Sequence, residues 1–148
     1  MGAQSGSMCL GELEGVSCIS STACTAAGYF RNSGGSQEPL AATWSGAAWA
    51  DHEMPVPSGA NSGTVQGVSC ASASACVAAG YSFATIGGTI SLVAESWNGV
   101  NWTVSVLPNP VGAKSALLEG VACAAATACT AVGLFDNSAG VACRLRRT

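Results

Sequence analysis

Leu13-Glu14-Gly15-Val16-Ser17-Cys18, five further residues, then Cys24-Thr25-Ala26-Ala27-Gly28-Tyr29 is the stretch that decides how this chain folds. It returns as Val65-Gln66-Gly67-Val68-Ser69-Cys70 ahead of Cys76-Val77-Ala78-Ala79-Gly80-Tyr81. A third copy runs Leu118-Glu119-Gly120-Val121-Ala122-Cys123 ahead of Cys129-Thr130-Ala131-Val132-Gly133-Leu134. The leading cysteines are 52 and then 53 residues apart. Self-similarity at this period marks units that cannot bury a face alone and must stack on their neighbours.

Working outward, each copy reads as four short strands. The first ends at the leading cysteine, and the second starts at the following one and runs to about Phe30 or Phe83. The residues between, such as Ile19-Ser20-Ser21-Thr22-Ala23, are small and polar enough to turn. Alanine favours helix, but these runs have a glycine in each flank, β-branched residues and no 3.6-residue apolar period, so strands are expected. Strands three and four form a hairpin marked by tryptophans. Trp44 leads through Ser45-Gly46-Ala47-Ala48 to Trp49, and Trp97 through Asn98-Gly99-Val100-Asn101 to Trp102. Asn-Gly between apolar runs is a strong hairpin signal. The proline pairs Pro55/Pro57 and Pro108/Pro110 then stop the strands.

This divides the chain into a junction at residues 1–12, a first repeat at 13–64, a second at 65–117 and a partial third at 118–148. Leu145 stands as far after Cys129 as Leu40 and Leu92 stand after Cys24 and Cys76, so the third tryptophan is expected just past residue 148. The chain then carries two whole repeats and about two-thirds of another.

Charged residues make up 9 % of the chain, against roughly a quarter in an average soluble protein. With 49 % hydrophobic residues the chain is nevertheless expected to fold rather than stay disordered. A net charge of −3 steers no particular partner. Arg144, Arg146 and Arg147 crowd the last positions without interleaved aromatics, so nucleic acid is not an expected partner. No apolar segment approaches the ~20 residues of a membrane span, and residues 1–8 show no signal peptide.

Of the eight cysteines, six form the repeated pairs. One histidine in the whole chain and Cys-x5-Cys spacing do not suit structural zinc, so no metal and no cofactor are expected. Cysteines flanking a turn can face each other across antiparallel strands. Disulfides Cys18–Cys24, Cys70–Cys76 and Cys123–Cys129 are expected, and with them an oxidising, extracellular setting.

The combination of Gly-Val-Ser-Cys…Cys-Thr-Ala-Ala-Gly with Trp-Asn-Gly-x-x-Trp resembles a group of secreted bacterial repeat proteins with β-propeller-type blades. It is similar in outline to kelch repeats, although the kelch glycine doublet and Tyr-to-Trp spacing are not reproduced. The resemblance covers residues 13 to about 145 and implies an all-β fold of four-stranded blades. The alternative is a β-trefoil, which also builds three four-stranded repeats in about this length. Blades taper toward an axis, so small residues on both faces of strands one and two fit burial between neighbouring blades.

Glu14, Gln66 and Glu119 hold the same place in all three copies. They either bond a neighbouring repeat's backbone or line an axis where a cation or sugar hydroxyl binds. Trp44, Trp49, Trp97 and Trp102 either pack the outer hairpins or offer rings to a sugar. Asp51-His52-Glu53 is the one cluster of titratable groups, but strand alternation points His52 away from the two carboxylates. No nucleophile-and-base arrangement is visible. The Trp97–Trp102 hairpin resembles a sialidase Asp-box only loosely, with the acidic residue misplaced and Arg31 the sole arginine outside the tail.

The expected function is a non-enzymatic extracellular binding or scaffold module with a glycan or protein ligand. Its expected partners include further blades of a longer parent or a second copy. The alternative is a fragment of a glycan-processing propeller enzyme whose catalytic residues lie outside this chain.

Overall fold

Each repeat folds into an antiparallel meander whose ladders stay within that repeat. The computed structural model describes residues 11–84, 88–139 and 142–147, the last stretch by backbone alone. The first sheet runs in the order β1 (Gly11–Ser20), β2 (Ala23–Arg31), β3 (Gln37–Trp44), β4 (Trp49–Glu53). The second runs β5 (Ser62–Ser72), β6 (Ala75–Phe83), β7 (Ile90–Trp97), β8 (Trp102–Leu107). The third has β9 (Ala113–Ala125), β10 (Ala128–Asn137) and β11 (Ala142–Arg147), with β10 in the middle. The described residues are all-β and close no barrel. A trefoil pairs strands of different repeats in one barrel, and the ladders here exclude that arrangement.

The strands run further than the cysteine spacing implies. Cys18 lies opposite Cys24 and Ser20 opposite Ala23, so the turn is Ser21-Thr22 rather than a five-residue loop. The same register recurs at Cys70–Cys76. Cysteines placed directly across a ladder continue the strand instead of ending it. In the second hairpin pair, Leu40 faces Gly28 and Val93 faces Gly80. Leu92 is therefore one position off the counterpart of Leu40, because the second repeat's β6–β7 connection holds an extra residue.

A bulge sits at one place in every innermost strand. Leu13 faces Gly28 and Gly15 faces Ala27, leaving Glu14 as the extra residue. Gln66 and Glu119 are the extra residues of β5 and β9. Bulges bend a strand and raise its twist. They also bring the two chains of the ladder close together: a Cβ on Gly28, Gly80 or Gly133 would overlap the carbonyl oxygen of Glu12, Thr64 or Leu117. The glycine in each second strand follows from the bulge opposite it.

The sheets stack face on face. β5 lies against β1, β2 and β3, and β9 lies against β5, β6 and β7. At the seams the innermost strands touch backbone to backbone. A Cβ on Gly15 would stand 3.2 Å from the Gly67 Cα, and one on Gly67 would stand 3.0 Å from the Gly120 Cα. Side chains on β5 that point back to the first sheet, Val65 and Val68, are buried with Ala27, Ala41 and Trp97. A second cluster of Ala79, Leu92, Ala116, Leu118 and Ala131 fills the next seam.

Burial on both faces holds for the middle sheet and fails for β1, which is exposed along most of its length. Nothing among the described residues lies on that side of the first sheet. Among the described residues no helix is long and apolar enough to cross a membrane.

Candidate functional site

The three cysteine pairs are disulfides, with Cα–Cα separations of 3.9, 3.9 and 4.0 Å for Cys18–Cys24, Cys70–Cys76 and Cys123–Cys129. Each closes a strand-end hairpin, and together they fit an oxidising, extracellular environment. Cys9 and the side chain of Cys143 lie outside the described residues.

Glu14, Gln66 and Glu119 are brought into one row by the stacking of their bulges. The position of a Cβ on Gly15 is 3.3 Å from the Gln66 carbonyl oxygen, and one on Gly67 is 3.1 Å from that of Glu119. Glu14 and Glu119 are exposed, while Gln66 is half-buried with its side-chain oxygen enclosed and unpartnered. Tyr81 reaches toward this row. Its phenol is pushed up first by burial and then by the nearby Glu14 carboxylate. The recurrence of these three positions has a backbone cause, since each is the extra residue of a bulge.

The four tryptophans divide into two pairs of unlike exposure. Trp97 and Trp102 sit 5.6 Å apart, tilted, and both are buried in the seam between the first two sheets. The Trp97 indole N–H donates to the Ala73 carbonyl at 3.1 Å. Its ring meets His52 of β4 at 4.9 Å. Trp44 and Trp49 adopt the same pairing, also 5.6 Å apart. They occupy the uncovered side of the first sheet, where Trp49 is half-exposed. Of the two tryptophan pairs, the one open to solvent is therefore Trp44–Trp49, chiefly through Trp49.

Asp51 and Glu53 point to solvent and His52 turns inward, as strand alternation requires. The His52 Nε2 shares a 2.9 Å hydrogen bond with the Thr43 hydroxyl. These residues form one wall of a wide cleft of about 560 Å³, and Trp97, Asn101 and Trp102 form the other. Among the described lining residues, Asp51, His52 and Glu53 are the titratable ones.

One buried acid lies outside the positions singled out from the sequence. Glu95 on β7 is 1 % exposed, and its Oε2 has no hydrogen-bond partner. Burial pushes its carboxyl up to about 8. It shares a strand face with Val93 and Trp97, and period-two alternation through Leu92-Val93-Ala94-Glu95-Ser96-Trp97 carries that signal. In the first repeat the same ladder position is Ala42, opposite Ala26 as Glu95 is opposite Ala78. The repeat therefore tolerates an apolar residue there. No family model matches this chain, and no curated protein sequence is similar to it.

Proposed function

We propose that this chain is a set of β-propeller-type blades, about two and two-thirds in number, belonging to a non-enzymatic extracellular binding module. What supports the blade reading is the stacking of separate meanders whose innermost strands touch through Gly15, Gly67 and Gly120. Close approach of the innermost strands along one line is what blades converging on an axis require.

The ligand this geometry favours is a glycan, and the observation that carries it is the open Trp44–Trp49 pair. An indole face presents apolar area with little conformational freedom to lose, which suits the C–H face of a pyranose ring. Asp51 lies on the same sheet, opposite Ala42 in the ladder beside the pair, and can accept sugar hydroxyls from its exposed position.

A glycan array with the wild-type chain and Trp49→Ala tests the reading. Trp49 is half-exposed, so the variant keeps its fold, and binding that weakens at least tenfold is expected. Absence of glycan binding, or binding indifferent to Trp49→Ala, refutes the glycan ligand. Release of reducing sugar by this chain would overturn the non-enzymatic reading itself.

A further inference from the structure

The two end faces of the stack match each other because the seam between neighbouring sheets occurs twice inside the chain. On the receiving side, Val65 and Leu118 are 0 % exposed under the sheet that precedes them, while Leu13 in the equivalent place is 56 % exposed. Val16 is 63 % exposed against 7 % for Val68. On the covering side, Ala27 and Ala79 are 0 % exposed under the sheet that follows, and Val132 in their place is 50 % exposed. Leu134, two residues along the same face, is also exposed. Apolar side chains that every internal seam buries are open at both ends.

We infer that a second copy of this chain docks head to tail, its β9–β11 sheet covering the first sheet of its partner, and that two copies close into one ring. The inference rests on the blade reading above. The occupant follows from continuity: the receiving face around Leu13 and Val16 is built like the face that the first sheet itself covers on the second. A second copy brings the matching surface, with Gly120 placed to meet Gly15 as Gly67 meets Gly120. Contacts of this kind are heterologous and need closure to avoid open filaments. The described residues of two copies contribute six sheets, within the roughly four to eight blades of closed propellers.

The internal seams differ from the new one in two respects. Ser17 and Ser69 each accept a backbone N–H from the next sheet, whereas the third repeat has Ala122 in that position. The new seam therefore lacks one hydrogen bond and is weaker than the internal ones. In addition, Trp97 is covered by His52 of a fourth strand, and the third sheet has three strands among the described residues. Among the described residues, the docked sheet therefore brings the Trp44–Trp49 pair no counterpart of the His52 cover over Trp97.

The test is light scattering at micromolar concentration on the oxidised wild-type chain and on Leu13→Glu and Val132→Lys. Both residues are exposed in the single chain, and retained strand content with a cooperative melt confirms the folding of the variants, whose midpoint falls only by what loss of the partner removes. The expected wild-type mass is about twice 14.5 kDa. Each variant should fall to a monomer, and mixing them one to one should restore the dimer. Ala122→Ser should tighten association several-fold by supplying the missing acceptor.

A wild-type monomer overturns the inference alone and leaves the end faces to further repeats of a longer chain. A dimer lost with Leu13→Glu yet untouched by Val132→Lys overturns it in favour of a face-to-same-face pair. Electron microscopy adds the last arm. Small rings support the proposal, whereas open filaments overturn both the ring and the propeller reading beneath it.

Discussion

The Ser17 hydroxyl accepts a hydrogen bond from the Cys70 backbone N–H at 3.0 Å, joining two sheets through residues 53 apart in sequence. Ser69 repeats it with the Cys123 N–H at 2.9 Å. Each bond sits beside a disulfide, near the end of an innermost strand. Ser69→Ala should destabilise the chain by about 1 kcal/mol in urea unfolding. Faster hydrogen exchange at the Cys123 amide, with the Cys70 amide unaffected, would locate the loss at the second seam. Equal exchange at both would show that the bond is dispensable.

The unlike exposure of the tryptophan pairs predicts unlike energetics. Trp97→Ala empties a packed seam and breaks the bond to Ala73, and should destabilise by ~3–5 kcal/mol. Trp49→Ala removes a half-exposed ring and should change stability by less than about 1 kcal/mol. Thermal melts of the two variants side by side give the comparison. Equal losses would mean that the Trp44–Trp49 face is covered in solution.

Two glycines in the same motif should respond differently to alanine. A Cβ on Gly67 meets the Gly120 Cα at 3.0 Å and the Glu119 carbonyl oxygen at 3.1 Å, so backbone must shift. Gly67→Ala should destabilise by ~1–3 kcal/mol. A Cβ on Gly120 has its nearest neighbour, the Val132 Cγ2, at 3.5 Å, an ordinary contact. Gly120→Ala should leave the melting temperature of the single chain almost unchanged.

Glu95 makes stability fall as pH rises. Its folded-state carboxyl is raised to about 8 by burial, so between about 4.5 and 8 the unfolded chain releases a proton that the folded chain retains. Its contribution is fully present below the unfolded value and is lost as pH climbs through the folded one. The slope is at most about 1.4 kcal/mol per pH unit. Urea midpoints measured from pH 5 to 8 should decline in the wild type and flatten in Glu95→Gln, where no proton is exchanged. A wild-type profile as flat as that of the variant would place Glu95 in contact with water or a partner.

Peptide mapping without reduction should return Cys18–Cys24, Cys70–Cys76 and Cys123–Cys129. Each bridge closes a short loop, and its removal should lower stability by about 2 kcal/mol on the chain-entropy account. Pairing of Cys70 and Cys76 to Ser in one variant isolates a single bridge. Free thiols at all six positions would argue against the extracellular setting.

The sequence by itself determined what repeats along the chain. Gly-Val-x-Cys and Cys-x-Ala-x-Gly in all three copies, with the tryptophan hairpins of the first two, specify strands, turns and cross-strand disulfides, because these depend on short-range geometry that recurs with the same residues. It also placed Glu14, Gln66 and Glu119 at equivalent points. It did not reveal that they are bulge residues, since a bulge is defined by the partner strand.

Only the tertiary structure decided what lies against each face. Leu13, Val65 and Leu118 are nearly interchangeable in sequence, yet one is exposed and two are buried. Trp49 and Trp102 differ in the same way. Burial is set by the presence of a neighbouring sheet and not by the residue, so a repeat can state the pattern of its faces but not which of them is covered. Glu95 makes the same point in reverse: its carboxyl is buried, with Oε2 left without a hydrogen-bond partner, because the first sheet closes over it.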